Sequence, residues 1–278
     1  MRTLLVANRG EIAARIIATA RRLGIETVAV HSEADAEMPF VQDADIAVPI
    51  GASAPAASYL NVEAVLGAAR ETGATAIHPG YGFLSENADF AERVGAEGMI
   101  WVGPTPAAMR EMSDKVDARN TMAAAGVPVA PGSLAPVHLS EVAVAEAERI
   151  GYPVMVKASA GGGGIGMAVA HDQAGVADAF ASARSRAERF FASPAVLIEK
   201  FLPRARHVEV QILGLPDGTV VALGERDCSV QRRHQKVMEE TPSPGVSPVL
   251  RERLLEIAVA AGEAVGYRNA GTVELLLD

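Results

Sequence analysis

The 278-residue chain is 49% hydrophobic and 21% charged, a composition that predicts a soluble globular protein long enough for two domains. Its formal net charge of −9 argues against nucleic acid as a partner, because no strongly basic stripe is present to replace counterions along a phosphate backbone. A lone cysteine, Cys228, excludes an internal disulfide, and apolar runs too short for a bilayer predict no signal peptide and no membrane partner, so a cytoplasmic protein is expected.

Plentiful glycine and alanine with only 4% aromatics suit alternating short strands and alanine-rich helices, an α/β class. Residues 3–7 form a buried strand, after which Ile12, Ile16, Ile17, Ala20 and Leu23 recur at helical spacing as far as Gly24. Asn8-Arg9-Gly10 lies between them, beyond the carboxyl end of a strand, where wound parallel sheets bind ligands. Strands follow at 26–30, 46–48 and 76–77, with a helix opening at Asn61. The segment from His78 to Asn87 packs turn residues, with Ser85 as N-cap and Glu86 as first-turn acid. Residues 99–102 are a further strand, and Thr105-Pro106 opens a helix.

A second helix begins at Ser113-Asp114-Lys115 and reaches Gly126, and the domain boundary is placed near it. Its position makes Lys115 an exposed residue. A helix from Ser140 to Gly151 leads to Tyr152-Pro-Val-Met-Val-Lys157, a strand that ends in lysine and runs into Gly161-Gly-Gly-Gly164-Ile165-Gly166. Five glycines in six residues let backbone N–H groups wrap a phosphate. No Gly-Lys-Ser/Thr follows, and residues 167–170 read as a second strand, so the loop is not one that feeds a helix N-terminus. It is a hairpin clamp for a nucleoside triphosphate or an ordinary flexible hairpin. A helix at 172–189 and a strand at 195–201 complete a small α/β lid. Within that strand Glu199 and Lys200 point to opposite faces and do not form a simple pair.

In residues 206–213, Val208, Val210 and Ile212 share one face while His207, Glu209 and Gln211 share the other. This describes the floor of a polar cleft or an ordinary solvent-facing sheet. Residues 224–236 crowd Arg226, Arg232, Arg233 and Lys236 with little apolar content, a segment costly to order without a ligand or paired charges. After a helix over 248–266, a last strand over 271–277 places Glu274 as a lone carboxylate among apolar neighbours, a suitable magnesium ligand.

Taken in order, Ala7-Asn-Arg-Gly-Glu11-Ile, His78-Pro-Gly-Tyr-Gly-Phe-Leu-Ser-Glu-Asn87, the Lys157 glycine loop, Glu225-Arg-Asp-Cys-Ser229 and Gln231-Arg-Arg-His-Gln-Lys236 resemble the biotin carboxylase component of acyl-CoA carboxylases. That family has the ATP-grasp fold, and the resemblance runs from Leu4 to Leu277. It implies an N-terminal wound parallel-sheet domain over about 1–112 and an ATP-grasp domain over about 113–278, with a glycine-loop lid at about 132–202. The implied activity is ATP-dependent carboxylation of carrier-bound biotin, using bicarbonate through carboxyphosphate. Lys115, Lys157, Gly163 and Gly164 would hold ATP phosphates, and Glu199, Lys200, Phe201 and Leu202 adenine. His207 and His234 would add ATP contacts. Lys236, His234 and Gln231 form the implied catalytic group, with Lys236 on bicarbonate, and Glu274 binds magnesium, or manganese in its place. The implied partners are a biotin carboxyl carrier protein, a carboxyltransferase component and a second copy of the chain.

The family continues past the position of Asp278 with a strand carrying a magnesium-binding glutamate and an asparagine, then an arginine and a glutamate. On the sequence alone, the chain is therefore expected to be C-terminally incomplete and insufficient for carboxylation, with an unpaired apolar edge at its last strand. A non-catalytic ATP-binding module and another ATP-grasp ligase, resembling carbamoyl-phosphate synthetase or pyruvate carboxylase, stand as alternatives. Ile165 occupies a position where the family carries arginine or lysine. Replacing it, Ile165→Arg, is expected to tighten ATP binding in a calorimetric titration, and unchanged or weaker affinity would show that the position does not face phosphate.

Overall fold

The computed structural model describes residues 1–159, 167–191, 195–232 and 235–278, apart from the side chains of 187 and 189–191. The chain forms two compact units, Met1–Met109 and Arg110–Asp278. The glycine loop with Gly163, Gly164 and Ile165, and also Arg233 and His234, lie outside the described residues.

The first unit runs β1 (Thr3–Val6), α1 (Gly10–Arg22), β2 (Glu26–Ser32), α2 (Pro39–Asp43), β3 (Ile46–Gly51), α3 (Val62–Glu71), β4 (Ala76–His78), α4 (Ala88–Ala96) and β5 (Ile100–Trp101). The strands form one sheet in the order β3-β2-β1-β4-β5, parallel at every pairing. Its central strands are continuously apolar because both faces are covered. Leu5, Val28, Val30 and Ile77 pack with Leu66, Phe90 and Val94, while Val6 and Ala29 pack with Ile17 and Phe40.

Two local expectations are corrected here. The N-cap of α4 is Asn87, whose side chain accepts from Phe90 N at 2.8 Å, and its first-turn acid is Asp89; Ser85 and Glu86 precede the helix in the turn. Leu23 is 69% exposed, since α1 ends at Arg22 and the buried stripe is Ala13, Ile17 and Ala20.

The sheet changes direction of winding between β1 and β4, and the chain there is tied by side chains. Asn8 donates at 2.7 Å to the carbonyls of Pro79 and Tyr81, and Gly80 has φ +64° with no room for a Cβ, which would meet Asn8 Nδ2 at 2.7 Å. Next to it, Arg9 grips buried Asp35 through Nε at 2.6 Å and Nη2 at 2.5 Å, and Tyr59 donates its hydroxyl to the same carboxylate at 2.7 Å. Arg9 first, against burial, with help from Tyr59 and Ser32, lowers the Asp35 pKa to about 2.

The second unit opens in α5 (Pro106–Ser113), which begins in the first, and continues with α6 (Lys115–Ala124), α7 (Ser140–Ile150), β6 (Val154–Ala158), β7 (Ala168–Ala170), α8 (Gln173–Phe191), β8 (Val196–Lys200), β9 (Arg206–Gly214), β10 (Val220–Arg232), β11 (Gln235–Glu240), α9 (Pro248–Ala264) and β12 (Asn269–Leu277). A three-stranded antiparallel sheet, β7-β6-β8, packs Val154, Val156 and Ile198 against Ala143, Ala147, Val176 and Phe180 of α7 and α8. The two strands expected on either side of the glycine loop are thus antiparallel neighbours.

A four-stranded antiparallel sheet has the order β11-β10-β9-β12. The segment over 224–236 is mostly strand rather than loop, because its charges find partners across the sheet. One face of this sheet is apolar: Val208, Val210, Ile212, Val273 and Leu275 pack with Leu254 and Ala258 of α9. Gly262 allows that approach, since a Cβ there would meet Val220 Cγ1 at 2.9 Å. No helix among the described residues is long and apolar enough to cross a membrane.

The Asp35 carboxylate gives the first unit a pH signature. Its pKa is depressed from 3.8 to about 2, so the stabilisation is complete above the unfolded value and is lost as pH falls through that window. Asp35→Asn is expected to cost about 2 kcal/mol at pH 7 and to remove that acid-side slope. The sole tryptophan, Trp101, reports urea unfolding of this unit at each pH.

Candidate functional site

Two groups of polar side chains stand out in the second unit. The first lies where β6 ends, at the last described residues before the glycine loop. Asp114 caps α6 by accepting from Val116 N at 2.8 Å and Asp117 N at 3.2 Å, and its second oxygen accepts from Ser159 Oγ at 3.2 Å. The cap therefore ties the start of α6 to the residue that follows β6. Lys115 donates to the Ser159 carbonyl at 3.2 Å, which makes it a half-buried residue rather than the exposed one its position suggested. Burial first, then the charge of Lys157, holds its pKa below the ordinary lysine value, with Glu199 acting in the opposite sense.

Lys157 on β6 is ion-paired with Glu199 on β8. Glu199 and Lys200 do part company as strand neighbours: Lys200 donates to the carbonyls of Gly151 and Tyr152 at 2.9 and 2.8 Å. Phe201 continues the strand pairing with a backbone bond to Pro153 at 3.1 Å, and Leu202 is half-buried beside it. The structure brings Lys115, Lys157 and Glu199 together near Ser159, the last described residue before the loop, whereas the Lys200 side chain is committed to backbone.

The second group lies on the polar face of the four-stranded sheet. The β9–β12 register sets Glu274 directly opposite Glu209, and the β9–β10 register sets Arg226 opposite Glu209. Glu209 is only 4% exposed. Arg226 approaches its Oε1 with Nε at 2.6 Å and Nη2 at 2.5 Å, and Lys236 from β11 holds Oε2. Lys236 also donates to Glu274 Oε1 at 2.9 Å, so one ammonium group spans two carboxylates. His207 Nε2 is 3.6 Å from Glu274 Oε2, and its Nδ1 is 2.6 Å from Gln231 Nε2, which makes Nδ1 the acceptor and places the ring proton on Nε2.

Burial opposes charge on both Glu209 and Lys236, but their mutual contact outweighs it. Lys236 and Arg226 keep the Glu209 pKa below its usual value, and Glu209 and Glu274 keep that of Lys236 above its own. His207, against burial and joined by Lys236, lowers the Glu274 pKa to about 2. The 2.9 Å contact with a permanent cation is the firmer of these two attachments. Glu209, Lys236 and Glu274 are therefore held in their charged forms at neutral pH.

Glu274 is not a lone carboxylate among apolar neighbours: apolar Val273 and Leu275 point to the opposite face, and Glu274 faces Glu209, Lys236 and His207. Glu209 and Arg226 are the members that residue-by-residue reading left without a role. The signals were the alternation of β9 and the cationic side chain between Glu225 and Asp227. Glu225 and Asp227, both buried, face away to hold the following turn through Ser243, Arg251 and Arg206. The Glu274 carboxylate, with its side chain 56% exposed, offers hard oxygen donors that fit a magnesium-class cation, whereas both Glu209 oxygens are taken by Arg226 and Lys236.

Residues 1–109 match the family described as biotin carboxylase, N-terminal domain, and residues 114–278 match that described as carbamoyl-phosphate synthase L chain, ATP binding domain. A biotin carboxylase of Allochromatium vinosum is 51% identical over 99% of this chain and 62% of its own length. The chain thus spans about three-fifths of that curated relative. Among solved structures, a Campylobacter jejuni biotin carboxylase in complex with β,γ-ATP superposes with a TM-score of 0.97 at 44% identity, over all of this chain and 62% of that one. The biotin carboxylase domain dimer of Hydrogenobacter thermophilus 2-oxoglutarate carboxylase, with MgADP, ADP and bicarbonate, gives 0.95 at 42% identity, over all of this chain and 61% of that one.

Cys228, 0% exposed, sits beside this polar face, and burial first, then Glu209, pushes its thiol up to about 12. A thiol of that kind is almost wholly protonated at pH 8, so Ellman's reagent is expected to modify the native protein at least about 100-fold more slowly than the urea-unfolded chain. Comparable rates would show that the polar face opens readily to solvent.

Proposed function

The chain belongs to the biotin carboxylase family, and from that premise we propose that it carries the ATP- and bicarbonate-handling part of a biotin-dependent acyl-CoA carboxylase. The observation that supports this most is the Lys236 ammonium group held between Glu209 and Glu274, a cation poised on the polar sheet face where an anion can take over its contacts. In this reading the family's N-terminal domain occupies about 1–112 and its ATP-grasp domain about 113–278, with the lid at about 132–202.

Lys115 and Lys157 take the ATP phosphates with Gly163 and Gly164, residues 199–202 take adenine, chiefly through the Glu199 carboxylate and the backbone, and His207 and His234 contact the nucleotide. Glu274 would hold magnesium, which when bound would neutralise phosphate charge. Lys236 leaves its carboxylates to orient bicarbonate, and Gln231 steadies the His207 ring. A bicarbonate oxygen then attacks the γ-phosphorus and ADP departs; carboxyphosphate breaks its carboxyl C–O bond to give carbon dioxide and phosphate, the phosphate takes the N1 proton of carrier-bound biotin, and N1 adds to the carbon dioxide. The protein's contribution is positioning and charge neutralisation, as phosphoryl transfer requires. The proposed setting is cytoplasmic, with a biotin carboxyl carrier protein, a carboxyltransferase component and a second copy as partners.

The match of residues 114–278 to a carbamoyl-phosphate synthase domain keeps one other reading in view, since both chemistries begin by phosphorylating bicarbonate. Phosphate release from ATP and magnesium, measured on the protein as it occurs in its cell, is expected to need bicarbonate and biotin together. A requirement for ammonia would favour the carbamoyl-phosphate reading, and release independent of either would sink the carboxylase assignment. Lys115→Ala and Lys157→Ala are each expected to weaken binding of a non-hydrolysable ATP analogue by about 10-fold or more.

A further inference from the structure

We infer that Arg226 is the permanent counter-ion of Glu209, a positioning residue that keeps this buried carboxylate charged and in place while Lys236 turns away to an anionic substrate. The inference rests on the proposed role of Lys236 as the bicarbonate contact, and it assigns a task to a residue that this role leaves out.

Two cations share Glu209, and they are held very differently. Arg226 meets Oε1 with two nitrogens, Nε and Nη2, which converge on that one oxygen. The far edge of the same guanidinium is also fixed: Nη1 and Nη2 each donate to Gln211 Oε1 at 3.2 Å, and Gln211 Nε2 donates to the Gly271 carbonyl at 2.7 Å. Arg226 on β10 is thereby braced through β9 to β12, the strand that carries Glu274. It cannot leave without breaking this chain of contacts.

Among the described residues, Lys236 has no such bracing. Its ammonium group is a point charge on a flexible stem, and its contacts are the other Glu209 oxygen, Oε2, and Glu274, whose side chain is 56% exposed. If it turned to a substrate and Glu209 had no other cation, a carboxylate almost completely out of water would be left uncompensated. Arg226 removes that obstacle.

The surroundings point the same way. Among the described residues, ligand atoms of Glu209, Cys228 and Glu239 lie within 4.8 Å of one another and form the one three-residue grouping able to hold a metal ion. Arg226 is ion-paired with two of its three members, Glu209 and Glu239, the latter at 3.8 Å. The guanidinium supplies the positive charge that this grouping calls for, and Glu209 keeps it whatever Lys236 does.

The test uses Arg226→Gln and Arg226→Lys in the full-length protein. Crystal structures without ligands are expected to show the Glu209 carboxylate in its wild-type place in Arg226→Lys and displaced in Arg226→Gln, and an undisplaced carboxylate in Arg226→Gln overturns the positioning role. Bicarbonate and a non-hydrolysable ATP analogue with magnesium are then titrated separately. Arg226→Gln is expected to raise the Kd for bicarbonate by about 10-fold and leave that of the analogue within about 2-fold, with Arg226→Lys between. No rise for bicarbonate, or an equal rise for both, which a merely structural role would give, overturns the inference. Should Arg226→Gln fail to fold, Arg226→Lys carries the same comparison with a smaller bicarbonate effect. A wild-type protein that binds no bicarbonate would refute the proposed function, while the position of the Glu209 carboxylate in Arg226→Gln still decides whether Arg226 holds it.

Discussion

The polar face of the larger sheet depends on the buried charge of Glu209. Moving a carboxylate out of water costs several kcal/mol after relaxation, and only close, well-directed cations offset that. Arg226 and Lys236 do so, and each comes from a different strand. Satisfying Glu209 therefore also fixes the register of β10 and β11 against β9. A shift of one residue would turn Glu209 towards α9 and bring Val208 or Val210 to the polar side, which both faces forbid. Electrostatics on one face and packing on the other specify the same arrangement.

That agreement explains how a segment as polar as 224–232 is ordered as strand. Its alternate residues are used on both sides of the sheet. Arg226 turns to Glu209, whereas Glu225 and Asp227 turn to Arg251, Ser243 and Arg206 and secure the turn before α9. Hydrogen bonds from Ser229 and Ser243, together with Arg206, overcome burial and lower the Asp227 pKa to about 2. Every buried acid in this strand thus has a cationic partner, and the strand is held by paired charges where an ordinary one is held by apolar side chains.

Much of this was legible in the chain itself. The period of two in β9 separated Val208, Val210 and Ile212 from His207, Glu209 and Gln211, and the structure keeps that division. Asn61 and Asp114 were readable helix starts because a short polar side chain preceded an amphipathic run. Ser85 competed with Asn87 for the same task, and sequence could not choose between two good caps two residues apart. The state of Lys115 was hidden for a different reason: a first-turn lysine is exposed by default, and its burial comes from Ser159, 44 residues away in sequence. Glu274 looked isolated because its neighbours in sequence are apolar, while its neighbours in space arrive from β9 and β11. Cross-strand partners are set by register, and a single sequence does not print register.

The two lysines at the glycine loop extend the same physical logic. Lys115 occupies the first position of α6, where unpaired backbone N–H groups already concentrate positive charge, and Lys157 adds a second cation close enough to weaken the hold of Lys115 on its proton. Glu199 and the Asp114 cap compensate part of this, but Glu199 is engaged by Lys157, and Asp114 spends its oxygens on backbone N–H groups and Ser159. Two cations set close together with low water access are relieved by an anion that brings several oxygens at once. Both groups balance their charges, Lys115 and Lys157 against Asp114 and Glu199 here, Arg226 and Lys236 against Glu209 and Glu274 on the larger sheet. An anion at either group therefore binds by exchanging partners, without creating an unpaired buried charge.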